Sequence, residues 1–516
     1  MWDAHSATGV ALGLVLFVIF FCGAFALYRA PLDAWADPAL RGQPTLSTED
    51  IVGPVFAERP PEPGSGVTVV YAFGERRTVL LIYNPAGETT PEGDPVRAVL
   101  TYSTTTGEEL APGGRSRLSL VLFQLHFLLQ LRHVLPGSSL IGIAIAGVFA
   151  VFMLFALVSG VLIHLKKLPK DWHTFRPRGT VRTALADAHT VLGLAGLPYA
   201  VMYAVTGGII SIMIMLAPQI ETAFFDGDGD AYDAAIYGVG VPEADSTGRA
   251  AAMLGPDALV AALPESWAGI DPILVRYSRW GDAGATATLH GHVSETLTTS
   301  GKATLRAATG DVIAHNPPTT PTALGATYAV TEQLHYGDVG GWLLDALFFL
   351  LALATGAVIL TGNALWIVVR RPKDPRATPR LHRVLGRLTV GFGCGLVAAV
   401  PVLFILAHAI PTGAADRKVW EEALFFAAWF ALIAAAFAGP STVGAARWQL
   451  ALAAGLCLLV PVANGWATGD WLWASAANAR WQVFWIDLSF VFAALVLVWT
   501  AQRLRPVAPD RVPVVP

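Results

Sequence analysis

The sequence predicts a polytopic α-helical membrane protein of about eight spans, with small α+β domains outside the membrane. Hydrophobic residues make up 54% of the 516 residues and charged residues only 14%, whereas about a quarter of the residues in soluble domains are charged. The mean hydropathy is +0.54. Eight apolar runs approach the roughly 20 residues that a bilayer-spanning helix needs, and two long segments between them have β-type patterns instead.

The predicted spans divide the chain into six parts. These are 1–29 (helix 1), 30–117 (outer segment), 118–217 (helices 2 and 3 with an outer amphipathic helix), 218–334 (second outer segment), 335–372 (helix 4) and 373–516 (a block of about four helices). The eight apolar runs are Thr8–Tyr28, Leu140–Leu165, Thr190–Ala217, Trp342–Val369, Leu388–Ile410, Ala423–Gly439, Trp448–Gly465 and Phe484–Ala501.

Two loops rich in Lys and Arg determine the predicted orientation. They cover 166–182 and 370–387, the second ending at Arg387. Such loops stay in the cytoplasm, and with an even number of spans both termini are expected there too. The net charge of −4 is too small to indicate a nucleic-acid partner.

The two outer segments each contain short β-type runs separated by Gly and Pro. Each also contains a related phrase, LTYSTTTGEEL at 100–110 and TLRAATGDVI at 304–313, which fits a strand, a tight Thr-Gly turn and a second strand. We therefore expect two copies of one small α+β unit that pack together. The predicted strands are Val67–Phe73, Thr78–Tyr83, Val96–Ser103, Ile273–Ser278, Ala285–His290 and Ala303–Ala307.

Histidines at the ends of spans are the main candidate site residues. His5 and His189 begin two spans, and glycines follow four residues later at Gly9 and Gly193. Neutral imidazole is a good axial ligand for iron, and a glycine one turn away leaves room for a flat macrocycle. This inner pair is predicted to hold one haem. The alternative is interfacial histidines with glycines that permit close helix packing.

A second pair, His126 and His335, lies near the opposite ends of two other spans. Gly340, after His335, would let the backbone approach a cofactor edge. The alternative is a turn that enters a helix, with the histidine at the headgroups. His133 competes with His126, because residues seven apart share a helix face.

Three further histidines are weaker haem candidates. His164 ends a span on the side of the inner pair and is an alternative partner for His189. His382 and His408 lie near the two ends of the fifth span and are candidates for a third haem or a quinone, or else ordinary loop and helix-end residues. The sequence has no phosphate-binding loop, dinucleotide fingerprint or HExxH motif, so electrons are expected from a quinol or a cytoplasmic reductase, and haem iron is the only metal expected.

The phrases around the four main histidines resemble the PepSY-associated transmembrane family. They read HSATG at His5, QLHFLL at His126, DAHTVLG at His189 and LHYGDVGG at His335, and the resemblance covers about residues 1–372. It implies a bacterial inner membrane, four core helices and PepSY-like periplasmic elements. Some members reduce ferric siderophores using two b-type haems. Small-residue pairs inside the spans share the likeness: Ser159-Gly160, Thr206-Gly207 and Thr361-Gly362.

Three features depart from the pattern of that family. Ser6 and Ala7 replace the Arg and Trp common after the first histidine, an extra His133 follows His126, and the block 373–516 has no counterpart in short members. We expect a multi-pass protein of the inner membrane that uses two b-type haems to reduce a periplasmic ferric siderophore for iron uptake. The alternatives are a non-enzymatic PepSY membrane anchor that regulates a periplasmic protein, and an iron-chelate transporter. Haem content separates the first prediction from the second.

Overall fold

The chain divides into two compact units. The membrane unit comprises Met1–Ala36, Ser116–Gly208 and Ala346–Pro516, and the sheet unit comprises Asp37–Arg115 and Ile209–Asp345. The computed structural model describes residues 1–73, 75–90, 93–110, 115–133, 140–166, 174–176, 179–242, 244–293, 297, 300–337, 339–370, 380–439 and 441–504.

Eight helices in this part of the chain are long and apolar enough to cross a bilayer, which confirms the predicted class of multi-pass membrane protein. In chain order, the helices are α1 (Trp2–Ala26), α2 (Arg29–Ala36), α3 (Thr48–Glu58), α4 (Leu118–His126), α5 (Ile141–His164), α6 (Val181–Ala195), α7 (Leu197–Phe224), α8 (Gly229–Tyr237), α9 (Pro256–Ala261), α10 (Ala323–Tyr336), α11 (Gly341–Val369), α12 (Arg380–Ala409), α13 (Arg417–Ala438), α14 (Thr442–Thr468), α15 (Leu472–Ala477) and α16 (Trp481–Arg503). The eight long apolar helices are α1, α5, α7, α11, α12, α13, α14 and α16.

The third predicted span, Thr190–Ala217, is wrong at its start. The helix breaks at Gly196, and the next helix begins at Leu197 with Pro198 in its first turn, where the N–H that proline lacks would have no partner within the helix. The spanning helix is α7, and α6 is a separate helix whose Asp187 carboxylate binds Arg176 at 2.9 Å. A buried, paired carboxylate explains why α6 is less apolar than a span.

The C-terminal helices pack into the same hydrophobic core as the first helices of the membrane unit. Phe17, Trp35, Leu122, Phe404 and Phe425 are each at most 2% exposed and belong to one cluster. The block 373–516 is therefore continuous in packing with α1, α2 and α4, at least over its described residues.

Arg387 is a correction to the predicted cytoplasmic loop. It lies inside α12, is buried, and donates to the main-chain oxygens of Ala436 and Gly439 at 2.5 and 2.7 Å. Its charge caps the end of α13 and does not belong to an exposed basic loop.

The sheet unit contains one seven-stranded antiparallel sheet in the order β3-β2-β1-β4-β5-β6-β7. Both predicted outer segments contribute, and they meet where β1 pairs with β4, from Val67 opposite Tyr277 to Val70 opposite Leu274. The two segments therefore fold into one sheet. The strands, all but β7 close to their predicted positions, are β1 (Val67–Val70), β2 (Thr78–Tyr83), β3 (Ala98–Ser103), β4 (Asp271–Ser278), β5 (Thr286–His292), β6 (Ser300–Arg306) and β7 (Val312–Asn316).

The two related phrases form equivalent turns. Gly107 has φ +75° and Gly310 has φ +80°, the left-handed region that favours glycine. The N–H of Gly107 donates to Ser103 O and the N–H of Gly310 donates to Arg306 O, both at 2.8 Å. The same hydrogen bond closes each turn, so the two halves of the sheet repeat one local structure.

Candidate functional site

His5, in the first turns of α1, faces α5. Its Nδ1 lies 3.0 Å from the main-chain oxygen of Ala156 and 3.2 Å from Ser159 Oγ. A Cβ built on Gly160 would lie 3.1 Å from His5 Cε1, so the missing side chain makes room for the ring. A carbonyl oxygen only accepts, so Nδ1 carries the proton and Nε2 keeps its lone pair.

His189, on α6, makes the same contact with α11. Its Nδ1 donates to the main-chain oxygen of Val358 at 2.9 Å. A Cβ built on Gly362, one turn further along, would lie 2.9 Å from His189 Cε1. The neighbouring Thr361 hydroxyl turns back onto its own helix and donates to Ala357 O at 2.7 Å.

His126, the last residue of α4, repeats this contact on α1. Its Nδ1 donates to the main-chain oxygen of Ile19 at 2.8 Å. A Cβ built on Gly23 would lie 2.7 Å from that nitrogen.

The three contacts share one geometry. In each, Nδ1 is within hydrogen-bond distance of the main-chain oxygen of residue i of a facing helix, and residue i+4 of that helix is glycine. An Nδ1–H bond to a main-chain oxygen is a common way to orient a metal-binding imidazole, because it leaves Nε2 as the ligand. A small residue precedes each glycine, as Ser159-Gly160, Thr361-Gly362 and Cys22-Gly23. Cys22-Gly23 was not among the predicted small-residue pairs, although it has the same pattern.

The structure brings the predicted inner pair together. The ring centroids of His5 and His189 are 6.2 Å apart, with their planes inclined by 70°. His164 lies close enough to interact electrostatically with both rings. The alternative of His164 as the partner of His189 thus stays open, but His5 is in ring contact with it.

These residues fit a haem. Two imidazoles that ligate one iron, with metal–nitrogen bonds of about 2 Å, have centroids about 6 Å apart. A Cβ on Gly9 would have nothing within 4 Å, and one on Gly193 would meet only Val358 Cγ1 at 3.8 Å, so neither glycine is needed for close helix packing. Among the described residues no group of three or more His, Cys, Asp or Glu side chains could hold a bare ion.

The two histidine positions on α1 lie at different depths. His5 belongs to its first turns, and His126 contacts residues 19 to 23. At 1.5 Å per residue these positions are about 21–27 Å apart along the axis, which is most of the roughly 30 Å hydrocarbon core.

The model of the PepSY-associated TM region family matches residues 2–369. The chain belongs to this family. The match contains His5, His126, His189 and His335, and it ends before α12. An uncharacterized protein of Pseudomonas aeruginosa is 25% identical over 387 residues, which cover 73% of this chain and 93% of that protein.

His335, within the PepSY-associated region, lies in the sheet unit at the end of α10. It is buried, and its ring is 5.9 Å from that of Tyr336. Gly337 caps the helix with φ +78°, and Gly340 has φ +97°, so backbone conformation alone accounts for both glycines. His126 belongs to the membrane unit, and the side chain of His133 lies outside the described residues.

His382 and His408 lie outside the PepSY-associated region, at opposite ends of α12. They are about 39 Å apart at the rise of an α-helix, so they cannot ligate one haem. His382 stacks on Trp366 with ring centroids 5.0 Å apart, and the His408 ring is 4.4 Å from that of Trp35.

Proposed function

We propose that this protein is a b-type haem protein of the bacterial inner membrane that carries electrons across the bilayer to a periplasmic ferric siderophore. The observation that supports it is the repeated geometry at His5, His189 and His126. In each case Nδ1–H is held by a main-chain carbonyl beside a glycine, which leaves Nε2 available as a ligand.

In this proposal His5 and His189 hold the inner haem and His126 holds the outer one. His335 stays a sequence-predicted haem ligand. Haem iron, when bound, cycles between two oxidation states and transfers single electrons. The main-chain oxygens of Ala156, Val358 and Ile19 fix the tautomer and the orientation of the three imidazoles.

Aromatic side chains fill the membrane unit between the two histidine depths. Tyr199 and Tyr203 are 4.4 Å apart, Phe348 lies 5.5 Å from Tyr199, and Phe20 lies 6.5 Å from Tyr203. Closely packed rings leave little space for water, so in this proposal charge moves between cofactors and not through a polar channel.

The proposed direction of electron flow follows from charge. Lys166 follows the end of α5, the helix that His5 contacts, and Arg370 follows the end of α11 and pairs with Asp3 at 3.2 Å. Basic residues at span ends stay in the cytoplasm. Both termini are then cytoplasmic, and the sheet unit is periplasmic. A quinol or a cytoplasmic reductase would donate electrons at the cytoplasmic end, near His5 and His189. At the periplasmic end, reduction of Fe(III) to Fe(II) would weaken the binding of the iron by hard oxygen ligands.

The test is an absorption spectrum of the purified protein with haem quantitation. We expect a Soret band and about two haems per chain, with content reduced in His189→Ala and in His126→Ala. His315→Ala, on β7 of the sheet unit, is the control. A protein without a Soret band, or spectra unchanged by both ligand substitutions, would overturn the proposal.

The substrate is tested separately. Chemically reduced protein should be reoxidised on addition of a ferric siderophore, but not of the iron-free siderophore. Reoxidation at the same rate with both would rule out the siderophore as the electron acceptor.

A further inference from the structure

The N-terminal end of α4 is anchored by the C-terminal block. The Glu421 carboxylate, on α13, accepts the main-chain N–H of Arg117 at 2.6 Å and the Ser116 hydroxyl at 3.0 Å. Arg117 is the residue immediately before the helix. A negative charge at this position is favoured by the helix dipole.

Glu421 is a fixed anchor with no exposure to solvent. The guanidinium of Arg417, itself 2% exposed, donates to Glu421 Oε1 at 2.8 Å and to Ala407 O at 2.5 Å. A buried carboxylate that has a cation and further donors is held in one geometry. The anchor is therefore tied to both α12 and α13.

Packing and a hydrogen bond also hold the middle of α4 in place. Leu118, Leu122 and Leu125 are buried, and Ser119 Oγ donates to Asp33 Oδ1 at 2.5 Å. A nine-residue helix is about 13 Å long and stiff. A shift at one end would therefore reach the other.

The other end of α4 is His126. Its ring fits against Gly23 so closely that a Cβ there would lie 2.7 Å from Nδ1. Packed interiors do not deform continuously, so a tilt of α4 would change the angle at which Nε2 is presented.

We propose that Glu421 is a positioning residue that sets the orientation of His126, so that the C-terminal block belongs to the electron-carrying machinery. This inference rests on the proposed function, in which His126 is a haem ligand. It gives a role to helices that lie outside the PepSY-associated region.

The test compares Glu421→Gln with Glu422→Gln. Glu422 is the matched control because it is adjacent on α13 and pairs with the side chain of Arg117, at 3.4 Å, whereas Glu421 binds the main chain of that residue. The readouts are the low-spin EPR signals and midpoint potentials of the haems, together with hydrogen exchange of the α4 amides. His126→Ala and His189→Ala assign the signals.

We expect Glu421→Gln to shift the EPR signal and potential of the His126 haem, to leave the His189 haem unchanged and to speed exchange in α4. Glu422→Gln should change none of these. If Glu421→Gln does not accumulate, Ser116→Ala removes one of the two hydrogen bonds without unpairing Arg417 and should give a smaller change of the same kind.

Three outcomes would overturn the inference: an unchanged His126 signal in folded Glu421→Gln, an equal shift of both haems, or the same shift in Glu422→Gln. A wild-type protein without haem would instead overturn the proposed function. Faster exchange in α4 of Glu421→Gln would then still establish the anchor, so the two failures are distinguishable.

Discussion

The imidazole of His189 occupies the space that a side chain at Gly362 would fill. The main-chain oxygen of Val358 holds its Nδ1 at 2.9 Å, and a Cβ on Gly362 would lie 2.9 Å from Cε1 and 3.0 Å from Nδ1. Real Cβ atoms almost never approach so closely, so any larger residue at this position must displace the ring or the helix.

Gly362→Ala should therefore lower haem content at the inner pair, although alanine is the better helix former by about 1 kcal/mol. The measurement is haem per protein, with Gly455→Ala as the control. A Cβ on Gly455 would have nothing within 4 Å. Equal haem content in the two variants would contradict the assigned role of Gly362.

Gly9 offers a complementary test, since a Cβ there also meets nothing within 4 Å. Gly9→Leu should not lower the thermal stability of haem-free protein, because the space around a Cβ there is open and leucine is the better helix former. It should lower haem affinity by competing for the space beside His5. Unimpaired haem binding in Gly9→Leu would remove Gly9 from the haem-packing set.

Asp487 is a fully buried carboxylate in α16 that is bound by neutral donors. The indole N–H of Trp35 and the amide of Asn464 each donate to it at 2.8 Å. Asp487→Leu removes the acceptor of both hydrogen bonds and should destabilise the membrane unit by about 2 kcal/mol. Unfolding in detergent measures this, and Asp487→Asn, which keeps one acceptor, should cost less. Equal stability of wild type and Asp487→Leu would show that the pair contributes nothing.

His290 should make the sheet unit less stable in acid. Burial, and then the charges of Lys302 and Arg276, lower its pKa to about 4, against the opposing effect of Asp233. Since the unfolded chain takes up a proton near pH 6.5 and the folded chain does not, stability is complete above pH 6.5 and falls as the pH drops towards 4. The loss between pH 7 and pH 5 should be about 2 kcal/mol.

Pulse proteolysis of the full-length protein in urea at the two pH values measures this loss. His290→Gln should remove most of the pH dependence. A variant that loses stability in acid as steeply as the wild type would assign the effect to other groups.

Local patterns in the sequence were sufficient to predict the spans, the strands and the turns at Gly107 and Gly310. Each depends on hydrophobic periodicity or on a single left-handed residue, and both are properties of a short stretch of chain. The predicted start of the third span was wrong because hydropathy alone does not detect the helix break at Gly196, just before Pro198.

The contacts between side chains of different helices could not be predicted from the sequence. That His126 would contact Gly23, or Asp487 would bind Trp35, depends on which helices are neighbours, and residue spacing carries no such information. The same holds for the single sheet. The repeated phrases predicted two similar units, but the pairing of β1 with β4, which joins the two units into one sheet, is seen only in the structure.

That strand pairing has a consequence for biosynthesis. About 200 residues of chain separate Val67 from Tyr277, its partner, so a ribosome needs about 10–40 s to deliver the second after the first. During that interval β1 exposes an unpaired edge, which invites association with other chains. Synthesis of the second segment, after two more long apolar helices, completes the sheet, so a defect in helix insertion would first become visible as aggregation of the sheet unit.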